Sequence, residues 1–177
     1  MGSDYVVMPG SIVLQQGNVG AGPRLGEELR RTPGVAAVAS LRVANGKLNG
    51  SDVQAIGIDP VAYPEVASLE WNGTSSDAAF GQLASGRWLI ANGIFASQAG
   101  LVEGQAVELQ TPTGRRTYLV AGVGNDYLNA KLSTIYISQE MLARDFSTTT
   151  DLMFLVNRAP ASDPAVVGAD LERVVDD

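Results

Sequence analysis

Five carboxylates between residues 52 and 77 are the side chains best suited to acid–base chemistry in this sequence. Two carboxyl groups that flank a glycosidic bond are enough for a glycosidase, so any pair of them is a candidate site. Spacing along the chain brings no particular pair together, and a solvated acidic surface explains them all. We therefore favour the surface interpretation over catalysis. The five residues are Asp52, Asp59, Glu65, Glu70 and Asp77.

Three further patterns are candidates for nucleophilic or binding chemistry. Lys131 and Ser133 stand two residues apart, but a serine–lysine dyad at a strand entry needs an unusual geometry. Asp126 and Asn129 offer oxygens to calcium without the spacing of an EF-hand. The glycines of residues 17–22 follow G-x-x-G-x-G, which is neither a dinucleotide nor a P-loop spacing. Solvated side chains, polar turns and a connecting loop explain these patterns better, so we predict no metal and no cofactor.

The 177 residues include no cysteine and no histidine, which removes whole classes of chemistry. Without histidine, the usual general base and the commonest metal ligand are missing, so Ser-His-Asp and zinc-hydrolase sites cannot be built. Without cysteine, disulfides and thiolate catalysis are excluded. The formal charge of −7, with 12 scattered Lys and Arg, disfavours nucleic acid. An apolar content of 45% is typical of a folded domain, and we predict one without enzymatic activity.

Two tryptophans and an arginine pair are the candidates for contact with a partner protein. Trp71 and Trp88 are the only tryptophans, and Arg115-Arg116 follow the turn "TPTG". Exposed aromatic and arginine side chains are typical of interfaces. The alternative is that the tryptophans belong to the core and that the arginines are a solvated hairpin end.

The elements that must position these residues alternate between strands and helices. Hydrophobic periodicity and turn signals predict helices over 23–31, 76–86, 92–101, 139–146 and 162–175. They predict strands over 4–10, 35–46, 51–60, 87–91, 105–112, 115–124, 133–138 and 151–157. Asn45-Gly46 is read as a turn signal, "NGKLNG" at 45–50 as the connection between the second and third strands, and residues 61–77 as irregular.

This order predicts an α+β fold with two lobes. If residues 71–125 are removed, the remaining elements follow the order β-α-β-β and then β-α-β-α, which is typical of a sheet covered by helices. We assign lobe 1 to residues 1–70 plus 126–177, and lobe 2, a β-rich insert, to residues 71–125. No stretch approaches the roughly 20 apolar residues that span a bilayer. A strand is predicted close to the first residue and a helix close to the last, so we expect this sequence to be a piece of a longer protein.

Three blocks, in order, resemble a known family. "RTPGVAAVAS" is similar to its segment after the first helix, and "VQAIGIDP" to the strand that follows. "GRWLIANGIFASQAGLVEGQAVELQTPTGRRTYLVAGV" resembles its most regular block. The family is the extracytoplasmic domain of FtsX/MacB-type ABC transporter permeases, or MacB periplasmic core domain. Gln105 departs from the aspartate that the family often has after its second glycine.

The resemblance implies a fold and a role. It implies a porter-like α/β lobe of split β-α-β units with an inserted β-rich lobe, projecting from the membrane between two transmembrane helices. It also implies a dimeric permease, energy from a separate cytoplasmic ATPase, and either substrate export or signalling to an extracytoplasmic partner. It carries over no catalytic residue and no cofactor. The alternative is a free-standing exported module that binds a peptide, glycan or lipid between its lobes.

Overall fold

The computed structural model describes residues 2–8, 23–73, 75–125 and 133–176. The glycine-rich loop at 17–22 and the side chains of Asp126, Asn129 and Lys131 lie outside these ranges. Within them, no helix combines the length and the apolar character needed to cross a bilayer.

Every predicted helix and strand is present, and two short elements are added. The helices are α1 (Pro23–Arg31), α2 (Tyr63–Val66), α3 (Ser76–Ser85), α4 (Gly93–Ala99), α5 (Gln139–Phe146) and α6 (Pro164–Asp176). The strands are β1 (Tyr5–Val7), β2 (Val35–Leu48), β3 (Ser51–Ile58), β4 (Glu70–Trp71), β5 (Trp88–Ala91), β6 (Ala106–Thr111), β7 (Gly114–Asn125), β8 (Thr134–Ser138) and β9 (Met153–Arg158). Both α2 and β4 lie in the stretch that was predicted to be irregular.

The turn between β2 and β3 is at Asn49-Gly50, the end of the predicted connection at 45–50, and the turn signal at Asn45-Gly46 was wrong. Asn49 and Gly50 have φ angles of 48° and 90°, which suit a tight hairpin turn. Strand β2 continues through Gly46 because its end pairs with β6, where Leu48 stands opposite Leu109. A Cβ at Gly46 would lie 2.9 Å from the carbonyl oxygen of Gln110, so this glycine serves close strand packing.

Side-chain caps fix the ends of the helices in the second half of the chain. Asn92 starts α4 by accepting from the Ile94 amide at 3.0 Å, and Gly100 ends it in the left-handed conformation, as predicted. Ser138 starts α5 by accepting from the amide of Met141. Ser75 caps α3 by accepting from the amide of Ala78, and Asp163 caps α6 by accepting from the amide of Ala165.

The first compact unit comprises residues 1–42, 61–68 and 150–177. Its sheet is antiparallel: β9 lies between β1 and the first half of β2, with Val156 opposite Tyr5 on one side and Val38 on the other. Helices α1 and α6 cover this sheet. The core consists of Val7, Leu29, Val38, Phe154, Val156, Val167 and Leu171.

The second compact unit comprises residues 43–60 and 69–149. Its sheet is mixed, since β3 pairs with β8 in parallel, β8 with β5 antiparallel, β5 with β7 in parallel, and β7 with β6 and β4 antiparallel. Helices α4 and α5 supply Phe95, Leu142 and Phe146 to its core. The second half of β2 joins this sheet through β6.

The two units divide the chain at other positions than the predicted lobes. Of the described residues assigned to lobe 1, those at 43–60, 69–70 and 133–149 belong to the second unit. The reason is strand pairing: β8 hydrogen-bonds to β5 of the predicted insert as well as to β3, so all three strands share one sheet. Pairing between strands distant in sequence is not visible in local periodicity.

Candidate functional site

The hairpin of β6 and β7 separates its side chains into two faces. Residues of one face are buried in the second unit: Val107 and Leu109 on β6, and Tyr118 and Val120 on β7. Residues between them in sequence lie on the opposite face, where Glu108 is exposed and Leu119 is half-buried, because successive side chains of a strand point to opposite faces. We call the buried set the inner face and the opposite set the outer face of the hairpin.

A buried carboxylate organises the inner face. Asp145 of α5 is 1% exposed and accepts two hydrogen bonds of 2.8 Å from the guanidinium of Arg87. The hydroxyl of Tyr118 donates to the same carboxylate at 2.7 Å. The Nε of Arg116 lies 3.5 Å from its second oxygen. One negative charge thus holds two cations and a phenol, which is the pairing that a buried carboxylate requires.

The same helix residue fixes the turn of the hairpin. The hydroxyl of Thr113 donates to the backbone carbonyl of Asp145 at 2.7 Å. Arg116 donates to the carbonyls of Thr113 and Arg115, both at 3.0 Å. Turn and helix are therefore connected through both the main chain and the side chain of Asp145.

These contacts shift three pKa values, so that Asp145 and Arg87 stay charged and the Tyr118 hydroxyl stays protonated. Burial alone would raise the pKa of the Asp145 carboxyl, but the hydrogen bonds from Arg87 and Tyr118 and the charges of Arg87 and Arg116 lower it. The hydrogen bond to Asp145 raises the pKa of Arg87. Burial, and then the hydrogen bond to Asp145, raise the pKa of the Tyr118 hydroxyl, so it stays a donor.

The structure separates the two arginines of the predicted contact pair. Arg116 belongs to the inner face, and its guanidinium is engaged by Asp145, Thr113 and the carbonyl of Arg115. Arg115 belongs to the outer face, where its side chain is 72% exposed and 3.6 Å from the carboxylate of Glu108. Of the two, Arg115 is the side chain that is available to a partner.

The structure also separates the two tryptophans. Trp88 begins β5 opposite Leu119, so both side chains lie on the outer face. Trp71 pairs with Gly124 near the other end of β7, eight residues beyond Arg116 or about 26 Å along an extended strand. Its ring contacts Phe80 edge to face, with centroids 5.6 Å apart. The structure thus brings Trp88 and Arg115 together on one surface and leaves Trp71 apart.

The five acidic candidates are spread over different elements. Asp52 lies in β3 and pairs with Lys47 at 2.8 Å, and Asp59 follows the same strand. Glu65 lies in α2 of the first unit, whereas Glu70 in β4 and Asp77 in α3 belong to the second. Among the described residues, no three acidic side chains are grouped in a way that could hold a metal ion.

Sequence reasoning missed Asp145, the residue on which the inner face depends. A signal was present in "QEMLARDF", because Asp145 lies four residues after Met141 and three after Leu142, both of which are buried. A carboxylate on the apolar face of a helix needs a buried partner. The partners, Arg87 and Tyr118, stand 58 and 27 residues away in sequence.

Comparison of the whole chain with solved structures decides the fold. The structure superposes on the extracellular domain of the noncanonic ABC-type transporter YknZ from Gram-positive bacteria with a TM-score of 0.69 and 20% identity. The match covers 97% of this chain and 93% of that one. The chain has the fold of this transporter domain. The periplasmic region of MacB from Actinobacillus actinomycetemcomitans matches with a TM-score of 0.70 and 13% identity, over 96% of this chain and 80% of that one.

The mixed α/β fold that the three sequence blocks implied is therefore confirmed. No protein family is matched by the sequence, and no curated protein matches it either. At 13% and 20% identity, the two solved domains establish the fold of this chain, while its role must be argued separately.

Proposed function

We propose that this chain is a non-catalytic extracytoplasmic domain of an ABC transporter permease. The observation that carries the proposal is the fold, shared over 97% of this chain with an ABC transporter extracellular domain. The absence of histidine and cysteine from the sequence supports a role without catalysis. In this proposal the domain lies on the outer side of the cell membrane, and a separate cytoplasmic ATPase and a second permease copy are its partners.

The role we assign to the domain is mechanical coupling between the membrane and an exported substrate or an extracytoplasmic protein. The chain passes between the two compact units after residues 42, 60, 68 and 149. Strand β2 continues through the first of these points without a break. The first unit pairs β2 with β9 up to Leu41, and the second pairs the same strand with β6 at Lys47 and Leu48.

The first unit holds β2 firmly up to that crossing. Leu41 pairs with Met153 of β9, and the amide of Leu152 donates to the Leu41 carbonyl at 2.8 Å. The Nε of Arg42 donates to Asp151 at 2.7 Å, with these side chains 21% and 9% exposed. This half-buried ion pair supports the proposal that motion of the first unit reaches the second through β2.

Topology is the first test of the proposal. We expect the native gene to encode apolar segments of about 20 residues before residue 4 and after residue 177. Because the chain has no cysteine, a cysteine replacing Asp52, 86% exposed, is the only thiol of the domain. In intact cells it should react with a membrane-impermeant maleimide. Soluble flanks on both sides, or labelling only after lysis, would reject the proposal in favour of another location.

Coupling is tested on the full-length protein with its ATPase. Spin labels on cysteines replacing Glu27, in the first unit, and Asp52, in the second, report one distance across the domain. We expect that distance to change between the nucleotide-free and the ATP-bound transporter. An unchanged distribution, in a preparation that hydrolyses ATP, would contradict mechanical coupling through this domain.

A further inference from the structure

Asparagine followed by glycine is the pair at which a protein loses a side-chain amide most readily, and this chain contains it four times. Glycine has no Cβ, so its backbone nitrogen can approach the side-chain carbonyl carbon of the preceding asparagine. The approach also needs a rotation of the backbone between them and a mobile side-chain amide. The structure therefore decides which pair can react. The pairs are Asn45-Gly46, Asn49-Gly50, Asn72-Gly73 and Asn92-Gly93.

Hydrogen bonds protect the pair at the start of α4. Asn92 is fully buried, and its side-chain carbonyl accepts from the Ile94 amide at 3.0 Å. The amide of Gly93, which would be the attacking nitrogen, donates to the side chain of Asn125 at 3.0 Å. Both groups that would have to meet are therefore engaged elsewhere in the folded protein.

Strand pairing protects the two pairs at the end of β2. Asn45 is exposed, but it lies within β2, whose extended backbone continues to Leu48 opposite Leu109. A strand cannot turn the next nitrogen towards a side chain without local unfolding. Asn49 lies in the turn, where its side-chain oxygen accepts from the Glu108 amide at 3.1 Å and its own amide donates to the Glu108 carbonyl at 2.9 Å. Reaction at either asparagine requires these contacts to open first.

The remaining pair lies in the connection between β4 and α3. Asn72 and Gly73 are both exposed, and a Cβ placed on Gly73 would meet no atom within 4 Å. The backbone amide of Asn72 donates to the Val123 carbonyl at 3.1 Å, but no hydrogen bond from another described residue holds its side chain. The Asn72 carboxamide can therefore turn onto the Gly73 nitrogen, since an exposed connection opens at little cost in free energy.

We propose that Asn72 is a site of spontaneous modification, where this protein acquires aspartate and isoaspartate as it ages. The Gly73 nitrogen attacks the side-chain carbonyl carbon of Asn72, and a new C–N bond closes a cyclic succinimide. The bond to the side-chain nitrogen breaks, and this nitrogen leaves as ammonia with the proton that the Gly73 nitrogen gave up. Water then adds across one of the two C–N bonds of the ring. Opening on one side gives aspartate, and opening on the other gives isoaspartate.

The modification changes both the charge and the backbone beside β4. It adds one negative charge to a chain whose net charge is −7, so anion exchange separates the modified protein. Isoaspartate also places an extra carbon atom in the main chain one residue after Trp71, which pairs with Gly124 and contacts Phe80 at this edge of the second unit. The proposal is independent of the proposed function, because it needs only this chain and water.

Peptide mapping of this chain after incubation in mildly alkaline buffer provides the test. Trypsin and glutamyl endopeptidase together cleave after lysine, arginine and glutamate, which places the four asparagines on different peptides. Mass spectrometry then measures the deamidated fraction of each peptide. We expect Asn72 to react at least about tenfold faster than each of the other three in the folded chain, and all four to react at similar rates in urea.

Three variants assign the reaction to this pair. Asn72→Gln lengthens the side chain that closes the ring, and should abolish the acidic form that anion exchange separates. Gly73→Ala crowds the attacking nitrogen and should slow the loss at Asn72 about tenfold. The matched control is Gly50→Ala, because Gly50 and Gly73 both have a φ of 90° and open space around the missing Cβ. It should leave the rate at Asn72 unchanged.

Several results would overturn the proposal. They are equal rates at Asn72 and Asn49 in the folded chain, faster loss at Asn45 than at Asn72, and no loss at Asn72 under conditions in which the urea-unfolded chain reacts. An unchanged rate in Gly73→Ala would also contradict ring closure through the backbone nitrogen. Circular dichroism confirms that each variant is folded, and the comparison of the four asparagines in the unmodified sequence needs no variant. None of these results bears on whether the gene encodes flanking membrane spans.

Discussion

Arg115 and Arg116 are neighbours in sequence, yet the hairpin places them in opposite environments. Arg116 faces inward and is held by a carboxylate that is 1% exposed. Arg115 faces outward and pairs loosely with an exposed glutamate. The alternation of a strand therefore places one arginine of the pair in a buried cluster and the other at the surface. The inner face has the contacts that hold the second unit together, and the outer face leaves Arg115 largely exposed to solvent.

The largest expected effect lies on the inner face, at Asp145. Asp145→Ala leaves Arg87, Arg116 and the Tyr118 hydroxyl without their shared acceptor, so the free energy of unfolding should fall by about 3 kcal/mol. Urea unfolding followed by circular dichroism measures this loss. The control is Asp52→Ala, at an exposed ion pair, where a change below about 0.5 kcal/mol is expected. A loss below about 1 kcal/mol for Asp145→Ala would show that the cluster does not stabilise the unit.

The two arginines provide a direct comparison of the faces. Arg116→Gln removes hydrogen bonds to two carbonyls and an ion pair, and should cost about 1.5 kcal/mol of unfolding free energy. Arg115→Gln should cost less than about 0.5 kcal/mol, because its ion pair is exposed. Both values come from the same denaturation experiment. Equal losses at the two positions would contradict the separation of the faces.

The two threonines test the turn itself. Thr113→Val removes the hydrogen bond of 2.7 Å to the Asp145 carbonyl and should cost about 1 kcal/mol. Thr117→Val keeps a β-branched residue at an exposed position of β7 and should leave the free energy of unfolding nearly unchanged. Amide hydrogen exchange of residues 111–116 should rise in the first variant only. A similar rise in both would indicate that the turn does not depend on α5.

The smallest effect is a dependence on pH. The folded protein lowers the pKa of Asp145, so the stability this group contributes is present above its ordinary pKa and is lost as the pH falls through the lower folded value. The difference in unfolding free energy between the wild type and Asp145→Asn should therefore narrow between about pH 7 and about pH 3. A difference that stays constant over this range would contradict a lowered pKa.

Several parts of the fold were predictable because their causes are local. Pro23, the capping residue Asn92 and the stop at Gly100 mark helix ends within a few residues of sequence. The alternation of "QAVELQ" and "TYLVAG" marks the β6–β7 hairpin for the same reason. The resemblance of three sequence blocks to a family of transporter domains indicated the fold, which the comparison with solved domains bears out.

The turn at Asn49-Gly50 and the division into units were not predictable in this way. Residues 45–50 contain two Asn-Gly pairs, and only the pairing of Leu48 with Leu109 shows that the strand passes through the first. Likewise, β3 and β8 belong to the second unit because β8 bonds to β5, across more than 40 residues. Contacts of this range depend on the arrangement of all strands and not on any one segment.

By itself, the sequence determined that this protein cannot build histidine or cysteine chemistry and that its elements follow the order of a transporter domain. Composition is enough for the first conclusion, and the second rests on the resemblance of three sequence blocks to that family of domains. Only the tertiary structure decided that Arg116 faces Asp145 and that Trp71 packs against Phe80, while Arg115 and Trp88 lie on the outer face of the hairpin. The reason is physical: a side chain's role depends on what lies against it, and Asp145 meets its partners only after residues 27 and 58 positions away have come together.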